Sequence, residues 1–386
     1  MSASVPTQSS ASQPIHWGIM GTGVIAHRFA ADFAHVIDAR LVAAGSRNGE
    51  KARAFGNRFG IPRQYGSYRE LADDPDIHAV YIATPASAHK ADVELCLRAG
   101  KAVLCEKPLT VNVREAEDVI ALARLNRVFL MEAMWTRFLP LIVRLRELLA
   151  QRVVGDIRYV MVDMGSQVAF DPNGRVYNEE FGGGALLQKG IYLLSLLSMI
   201  LGTPRSVKSL SVLAKTGFDK DTGVLLKYSG ECLATLWCSV VARSGPRGAI
   251  VGTQGQIDIH DPIICPSSLS LRLYGSREQH VASVKAEADP DLKARLLRYG
   301  KDSRLMRELR ERFPVLSDRI LYGIRSSRMF LPPIGEGLHY QVSEVNQCLR
   351  AGKLECDIMS LNESLSIMAT VDRIREQAQK TYAETL

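Results

Sequence analysis

No stretch of the 386-residue chain approaches the ~20 consecutive apolar residues that a membrane-spanning helix needs, so that class is excluded. There is no Cys-x-x-Cys pair. The seven cysteines (Cys96, Cys105, Cys232, Cys238, Cys265, Cys348, Cys356) are odd in number, and several sit in apolar, strand-like runs where a thiol behaves as a small hydrophobe. A disulfide framework is therefore not expected, and the reading is a reducing, cytoplasmic protein. No metal is implied either, because His89 has no ligand spacing with His27 or Cys105. The first 14 residues, rich in Ser, Ala, Gln and Pro, lack the basic start, apolar centre or twin arginine of an export signal. They read as a disordered tail. No internal repeat is visible. What is present is 46% hydrophobic residues in a chain too long for one ordinary core, which predicts a globular protein of two domains.

The net charge of +7 is uneven. Between Lys293 and Arg328 stand eleven Lys/Arg against four acids, a local surplus equal to that of the whole chain. Arg295, Arg298, Lys301, Arg304, Arg307 and Arg310 recur every third residue, which on a helix makes a slowly winding basic stripe. Few aromatics accompany it and no nucleic-acid motif does. A solvated helical insertion over about 290–333 is the expectation, with no nucleic-acid and no membrane partner.

Residues 15–135 alternate strand and helix signals, as a doubly wound parallel α/β sheet requires. Strands are expected at 16–20, 41–46, 80–83, 102–105 and 128–131. Helices fall between them, one opening at Asn112 with Glu115 three residues on, an N-cap signature. A bridging helix follows at 141–150. From Gly155 onward the pattern has period two, with further strands near 207–214, 223–228, 234–241 and 249–259, interrupted by one helix, 184–201. Successive strands of this kind predict that 136–386 form an α+β domain around a large, mostly antiparallel open sheet. Two last helices, 338–351 and 362–377, are expected to pack back on the first domain.

Two turns carry the chemistry. Gly21-Thr22-Gly23-Val24-Ile25-Ala26 lies between the first strand and its helix, with glycines where a Cβ would keep the backbone from a pyrophosphate. Glu106-Lys107-Pro108 puts a lysine just past the apolar strand Ala102–Cys105. In an open parallel sheet both turns lie at the carboxyl edge, where ligands bind. The second strand ends in Ser46-Arg47-Asn48 rather than in an acid. A guanidinium and a hydroxyl suit a 2′-phosphate, so NADP(H) is favoured, with NAD(H) as the alternative.

Together with Thr84-Pro85 and His89, Met131 to Phe138, Gly182 to Leu187 through Gly190-Ile191-Tyr192, and Gly335-Glu336-Gly337-Leu338, these motifs resemble the Gfo/Idh/MocA oxidoreductase family. The likeness is greatest to its branch of dimeric dihydrodiol dehydrogenase, NADP-dependent D-xylose dehydrogenase and glucose–fructose oxidoreductase. It runs from about Ile15 to Gln377. It implies a Rossmann domain followed by a domain whose open sheet often forms a dimer interface, hence a homodimer through the C-terminal sheet. It also implies a cofactor site of Gly21, Thr22, Gly23, Val24, Ile25, Ser46, Arg47, Thr84, Pro85, His89, Glu106, Lys107, Trp135 and Arg137. Lys107 would hydrogen-bond the reacting oxygen, and Tyr192 would give or take the hydroxyl proton. Lys107, Trp135, Phe138, Gln188 and Tyr192 would meet a small-molecule substrate.

One position departs from the pattern: many relatives carry aspartate four residues before the tyrosine, and here that residue is Gln188. Glutamine can hydrogen-bond a hydroxyl but cannot act as a base. The expected function is an NADP-dependent oxidoreductase acting on a secondary alcohol or hemiacetal of a sugar, inositol or cyclic diol. The alternatives are a redox-neutral enzyme with permanently bound NAD(P) and a non-catalytic NADP-binding protein.

Overall fold

The computed structural model describes residues 13–172, 174–178, 181–215, 217–245, 248–274 and 325–385. The chain divides into two compact units, one of Met1–Phe138, Asn178–Gly183 and Ile334–Asp372, the other of Leu139–Tyr177, Gly184–Pro333 and Arg373–Leu386.

The first unit alternates β1 (Ile15–Met20), α1 (Val24–Asp32), β2 (Ala39–Gly45), α2 (Gly49–Phe59), β3 (Arg63–Tyr65), α3 (Tyr68–Asp73), β4 (Ala79–Ile82), α4 (His89–Arg98), β5 (Ala102–Glu106), α5 (Val113–Asn126) and β6 (Leu130–Ala133). All six strands are parallel, in the order β3-β2-β1-β4-β5-β6. The order reverses beside β1, which creates the crevice at which such sheets bind ligands. β4 and β5 are buried at every position because helices cover both faces. On one face Met20, Val80, Ile82, Val103 and Cys105 pack with Val93 and Leu97 of α4 and Val119 and Ile120 of α5. On β4 the alternate residue Tyr81 stacks on Phe29 of α1 at 3.7 Å between ring centres. The Asn112 carboxamide accepts the Glu115 amide at 2.9 Å and starts α5 as its spacing predicts.

The motif Gly335–Leu338 has a structural reason. Asp32, at the end of α1, accepts the amides of Glu336 (2.8 Å) and His339 (2.9 Å) and the His339 ring at 3.0 Å. Burial pushes this carboxyl up, but those donors outweigh it and hold it below the usual carboxylate range. A Cβ at Gly335, whose φ is +56°, would run into Asp32. So Asp32 anchors the start of α8 (His339–Arg350) within the first unit.

In the second unit α6 (Pro140–Ala150) leads into β7 (Ile157–Gly165), and α7 (Ile191–Leu201) precedes β8 (Ser206–Leu213), β9 (Asp219–Lys227) and β10 (Leu233–Ser239). β11 (Gly248–Gly252), β12 (Gly255–Ile259), β13 (Ser268–Leu273) and β14 (Arg325–Phe330) complete an eight-stranded sheet, ordered β14-β13-β12-β11-β7-β10-β9-β8. Only β7 and β10 run parallel. Val160, Val162, Ala234, Leu236 and Cys238 are buried, and the almost wholly apolar α7 packs on β7 and β10. By register Leu210, Leu225, Leu233 and Met161 share the opposite face, where they stay exposed. The last helix, α9, is Leu361–Thr385.

Five features differ from the sequence reading. The short β3–α3 pair and β13 were not expected. The run 249–259 is two strands, reversed at Thr253-Gln254. Residues 325–330, inside the expected helical insertion, form a strand pairing with β13. The helix 184–201 opens with a π-turn, Leu186–Gly190. The basic stripe 295–310 lies outside the described residues.

Candidate active site

The glycine-rich turn sits where β1, β2 and β4 end together. Gly21 donates its amide to the Gly45 carbonyl at 2.9 Å, and Ala83 donates to Met20 at 2.8 Å. The φ of Gly21 is +101°, and a Cβ there would lie 2.9 Å from the Ala83 carbonyl oxygen. Only glycine fits. Gly23 serves as N-cap of α1 with no side-chain cap, and a Cβ there would point into open space. Thr22 is half-buried, and Val24 in the first turn is 80% exposed. An uncapped helix start with open space before it is suited to an anion such as a pyrophosphate. The turn therefore fits a dinucleotide.

At the end of β2 the Ser46 hydroxyl is buried and accepts the Asn48 amide at 3.3 Å, while Arg47 is exposed. Arg47 hydrogen-bonds Tyr68 and faces Asp92. Asp92 accepts the Thr84 hydroxyl at 2.6 Å; burial pushes its carboxyl up, and Thr84 and the Arg47 charge partly oppose this.

The lysine loop rests on buried polar groups. Glu106 accepts the Tyr81 hydroxyl with one oxygen and the Lys107 amide, at 3.2 Å, with the other. Both Glu106 and Lys107 are buried. His89 is fully buried, its ring nitrogens 2.8 Å from the Pro108 carbonyl and 3.0 Å from that of Thr84. One ring thus spans the loops after β4 and β5, which holds Thr84-Pro85 and Lys107-Pro108 in fixed relation. Beneath them Glu132 of β6 accepts the Leu109 amide at 3.0 Å. Burial pushes Glu132 up, against the Leu109 hydrogen bond and the charges of Arg137 and Lys107. Trp135, Arg137 and Phe138 lie buried in the 3-10 turn after β6. The Arg137 guanidinium bonds Glu363 at 2.7 Å and the Ile358 carbonyl at 3.0 Å, so in the first unit it braces the loop before α9.

Gln188 and Tyr192 belong to the second unit. Between buried neighbours at 185–187, 190–191 and 193–195, residues 188, 189 and 192 stay partly open and define one face of the helix. Burial pushes the Lys189 ammonium below the usual lysine range. Asp219 of β9 anchors the start of this helix. Its carboxylate accepts the Leu186 amide at 2.7 Å and the Thr222 hydroxyl at 2.9 Å, and a Cβ at Gly184 would collide with it. Burial raises Asp219 to about 6 despite those donors.

Sequence reasoning did not single out Tyr81, Asp92, Glu132 or Asp219. Glu132 sits inside a motif that was recognised, next to apolar residues, and a carboxylate in such a run is a signal. Asp219 acts 33 residues from Leu186 and leaves none.

Comparison with known proteins agrees with this geometry. Residues 15–134 match a family model described as "Oxidoreductase family, NAD-binding Rossmann fold", and residues 142–258 match the GFO/IDH/MocA C-terminal domain. Trans-1,2-dihydrobenzene-1,2-diol dehydrogenase of Sus scrofa is 32% identical over 378 residues, 96% of this chain and 98% of that one. The Homo sapiens protein of the same name is 32% identical over 382 residues, with the same coverage. In fold, the chain resembles an aldose–aldose oxidoreductase from Caulobacter crescentus crystallised with glycerol (TM-score 0.76, 22% identity, 96% and 98% covered). It also resembles a 3-ketoreductase from Actinomadura kijaniata crystallised with TDP-benzene and NADP (TM-score 0.71, 21% identity, 95% and 98% covered). The chain belongs to the GFO/IDH/MocA family of oxidoreductases, with a nicotinamide-dinucleotide-binding Rossmann domain at its N-terminal end.

Proposed function

We propose that the protein is an NADP-dependent dehydrogenase or reductase acting on a secondary alcohol or hemiacetal, with cyclic vicinal diols first among the substrates and sugars and inositols next. The observation that carries this is the fixing of the Lys107 loop. Tyr81, His89 and Glu132 fasten it at the same sheet edge as the uncapped start of α1. The names of the relatives favour a cyclic diol.

In this reading Val24, Ile25 and Gly23 offer backbone N–H groups to the pyrophosphate. Ser46 and Arg47 take the 2′-phosphate, and Thr84, Pro85 and Trp135 bound the remainder. His89, Glu106 and Arg137 hold that frame rather than touch the reacting atoms. The dinucleotide supplies a hydride acceptor or donor. The Lys107 ammonium donates a hydrogen bond to the reacting oxygen and lowers the pKa of a hydroxyl there. Tyr192 exchanges the hydroxyl proton, while Gln188, Phe138 and Trp135 set which ring fits. A homodimer formed through the open sheet face, where Leu210, Leu225, Leu233 and Met161 are exposed, belongs to the same reading.

The test is single-turnover and steady-state NADPH formation over a panel of cyclic diols, inositols and aldoses. Multiple turnovers with free NADP are expected. A protein that binds NADP and stays inert across the panel would overturn the reading.

A further inference from the structure

Among the described residues, one cluster of donor atoms outside this machinery converges without a role. Glu344 and Cys348 lie one turn apart on α8, and Cys356 stands on the loop that follows, all within the first unit. Cys348 and Cys356 are buried and Glu344 is partly open. A single oxygen, Glu344 Oε1, lies 3.8 Å from Cys348 Sγ and 3.6 Å from Cys356 Sγ. All three donor atoms fall within 4.8 Å of one another.

Zinc in a tetrahedral site sits about 2.3 Å from thiolate sulfur and 2.0–2.2 Å from carboxylate oxygen, so neighbouring donors are separated by about 3.5–3.8 Å. The two sulfur–oxygen separations already match such edges, before any ion draws the groups in.

We propose that Glu344, Cys348 and Cys356 bind one thiophilic divalent cation, of which zinc is the type, with the fourth position left to solvent or to the second Glu344 oxygen. Each thiol releases its proton to bulk solvent as its metal–sulfur bond forms, and no electron is exchanged. The site has a structural consequence. The same loop offers the Leu354 carbonyl to the Leu130 amide at 3.2 Å and the Ile358 carbonyl to Arg137 at 3.0 Å. An ion joining Cys356 to α8 would fasten that loop and add its binding free energy to the stability of the first unit.

The experiment uses the full-length reduced protein, stripped with chelator and titrated with Co(II), then displaced with Zn(II). The expected result is one Co(II) per chain with sulfur-to-cobalt charge-transfer absorption in the near ultraviolet. Zn(II) should raise the Tm of the native protein. The absorption should be lost in the double variant Cys348→Ser/Cys356→Ser. Glu344→Gln should weaken affinity by more than the roughly 10–100-fold that loss of an outer partner costs. X-ray absorption at the zinc edge of the native protein, expected to show two sulfur neighbours, needs no variant. No thiolate–cobalt absorption at saturation, absorption that survives in the double variant, or a zinc site without sulfur would each overturn the proposal.

Discussion

The carboxyl edge of the parallel sheet and the helix running from Leu186 to Leu201 fix their candidate residues in contrasting ways. At the sheet edge, Lys107 sits on a loop tied at three places by buried groups from β4, α4 and β6. Each tie is short in sequence or falls within a strand-end motif. On the helix, Gln188 lies within, and Tyr192 just after, a π-turn whose start depends on one carboxylate, Asp219, from a strand far along the chain. The first arrangement is redundant, so its geometry should survive the loss of a single partner. The second rests on one ionisable group whose charge changes near neutral pH, and so should respond to pH.

The largest effect separates chemistry from scaffold. Lys107→Ala and Tyr192→Phe should each lower kcat by roughly 10²–10⁴-fold, the usual yield of a positioned acid–base group. NADP affinity should stay within a few-fold, since neither side chain is assigned to the pyrophosphate or the 2′-phosphate. Steady-state kinetics beside a fluorescence titration of cofactor checks this. Near-native kcat in either variant would remove that residue from the mechanism.

Next comes the ionisable anchor. The Asp219 carboxyl titrates at about 6 in the folded protein against an ordinary value of 3.8, because burial penalises its charged form. A raised carboxyl is protonated in the folded chain before it is in the unfolded one. Its contribution to stability is therefore fully present below about pH 3.8 and is lost as the pH rises through 6. A shift of this size is worth on the order of 3 kcal/mol. Asp219→Asn keeps an oxygen for the Leu186 amide and removes the charge, so its stability relative to native should increase between pH 4 and 7. Denaturant midpoints at several pH values measure it. A native-minus-variant difference that does not change with pH would show that the anchor stays charged throughout.

The sheet edge can be probed in turn at Arg47. The native protein should bind NADP(H) more tightly than NAD(H), and Arg47→Asp should reverse the order, with an acid in place to bond a ribose diol and repel a 2′-phosphate. Equal affinities in the native protein would strip Ser46-Arg47 of its assigned role.

These contrasts also explain how far the residues alone could be read. The parallel sheet, its glycine turn, the lysine loop and the Asn112 cap were legible because each is a local pattern with a local cause. β3 has three residues, too few to show a period, whereas β13 alternates Ser or Arg with Leu at strict period two, a strand signal that its residues do carry. The turn dividing 249–259 is Thr253-Gln254, flanked by Gly252 and Gly255; the apolar residues stop at Val251 and resume at Ile257 in the opposite phase, so this reversal is legible in the residues. The π-turn keeps helical spacing within a single turn and is invisible in a pattern. Tyr81 and Asp219 look like ordinary strand residues until the fold brings a carboxylate or a backbone amide to them. The same holds for Cys348 and Cys356, whose eight-residue separation matches no ligand spacing but which meet at Glu344 because the chain turns back after α8.

The smallest effect bears on Gln188. Gln188 is partly open, one helical turn before Tyr192, and its amide donates to the Gly184 carbonyl at 3.1 Å. Gln188→Asp leaves that backbone bond in place and replaces a carboxamide that donates and accepts with a carboxylate that only accepts. A mismatched hydrogen bond to a bound hydroxyl costs about 1–3 kcal/mol, or roughly 5- to 150-fold in selectivity. The variant should therefore keep its fold and its NADP affinity while its preference across the diol, inositol and aldose panel changes by a factor in that range. The comparison runs native against Gln188→Asp over one panel, with Tyr192→Phe as the inactive control. If kcat/KM ratios among substrates are unchanged, Gln188 does not touch the substrate. If activity appears in Gln188→Asp where the native protein has none, the native protein is a cofactor-binding protein whose chemistry was lost at this residue.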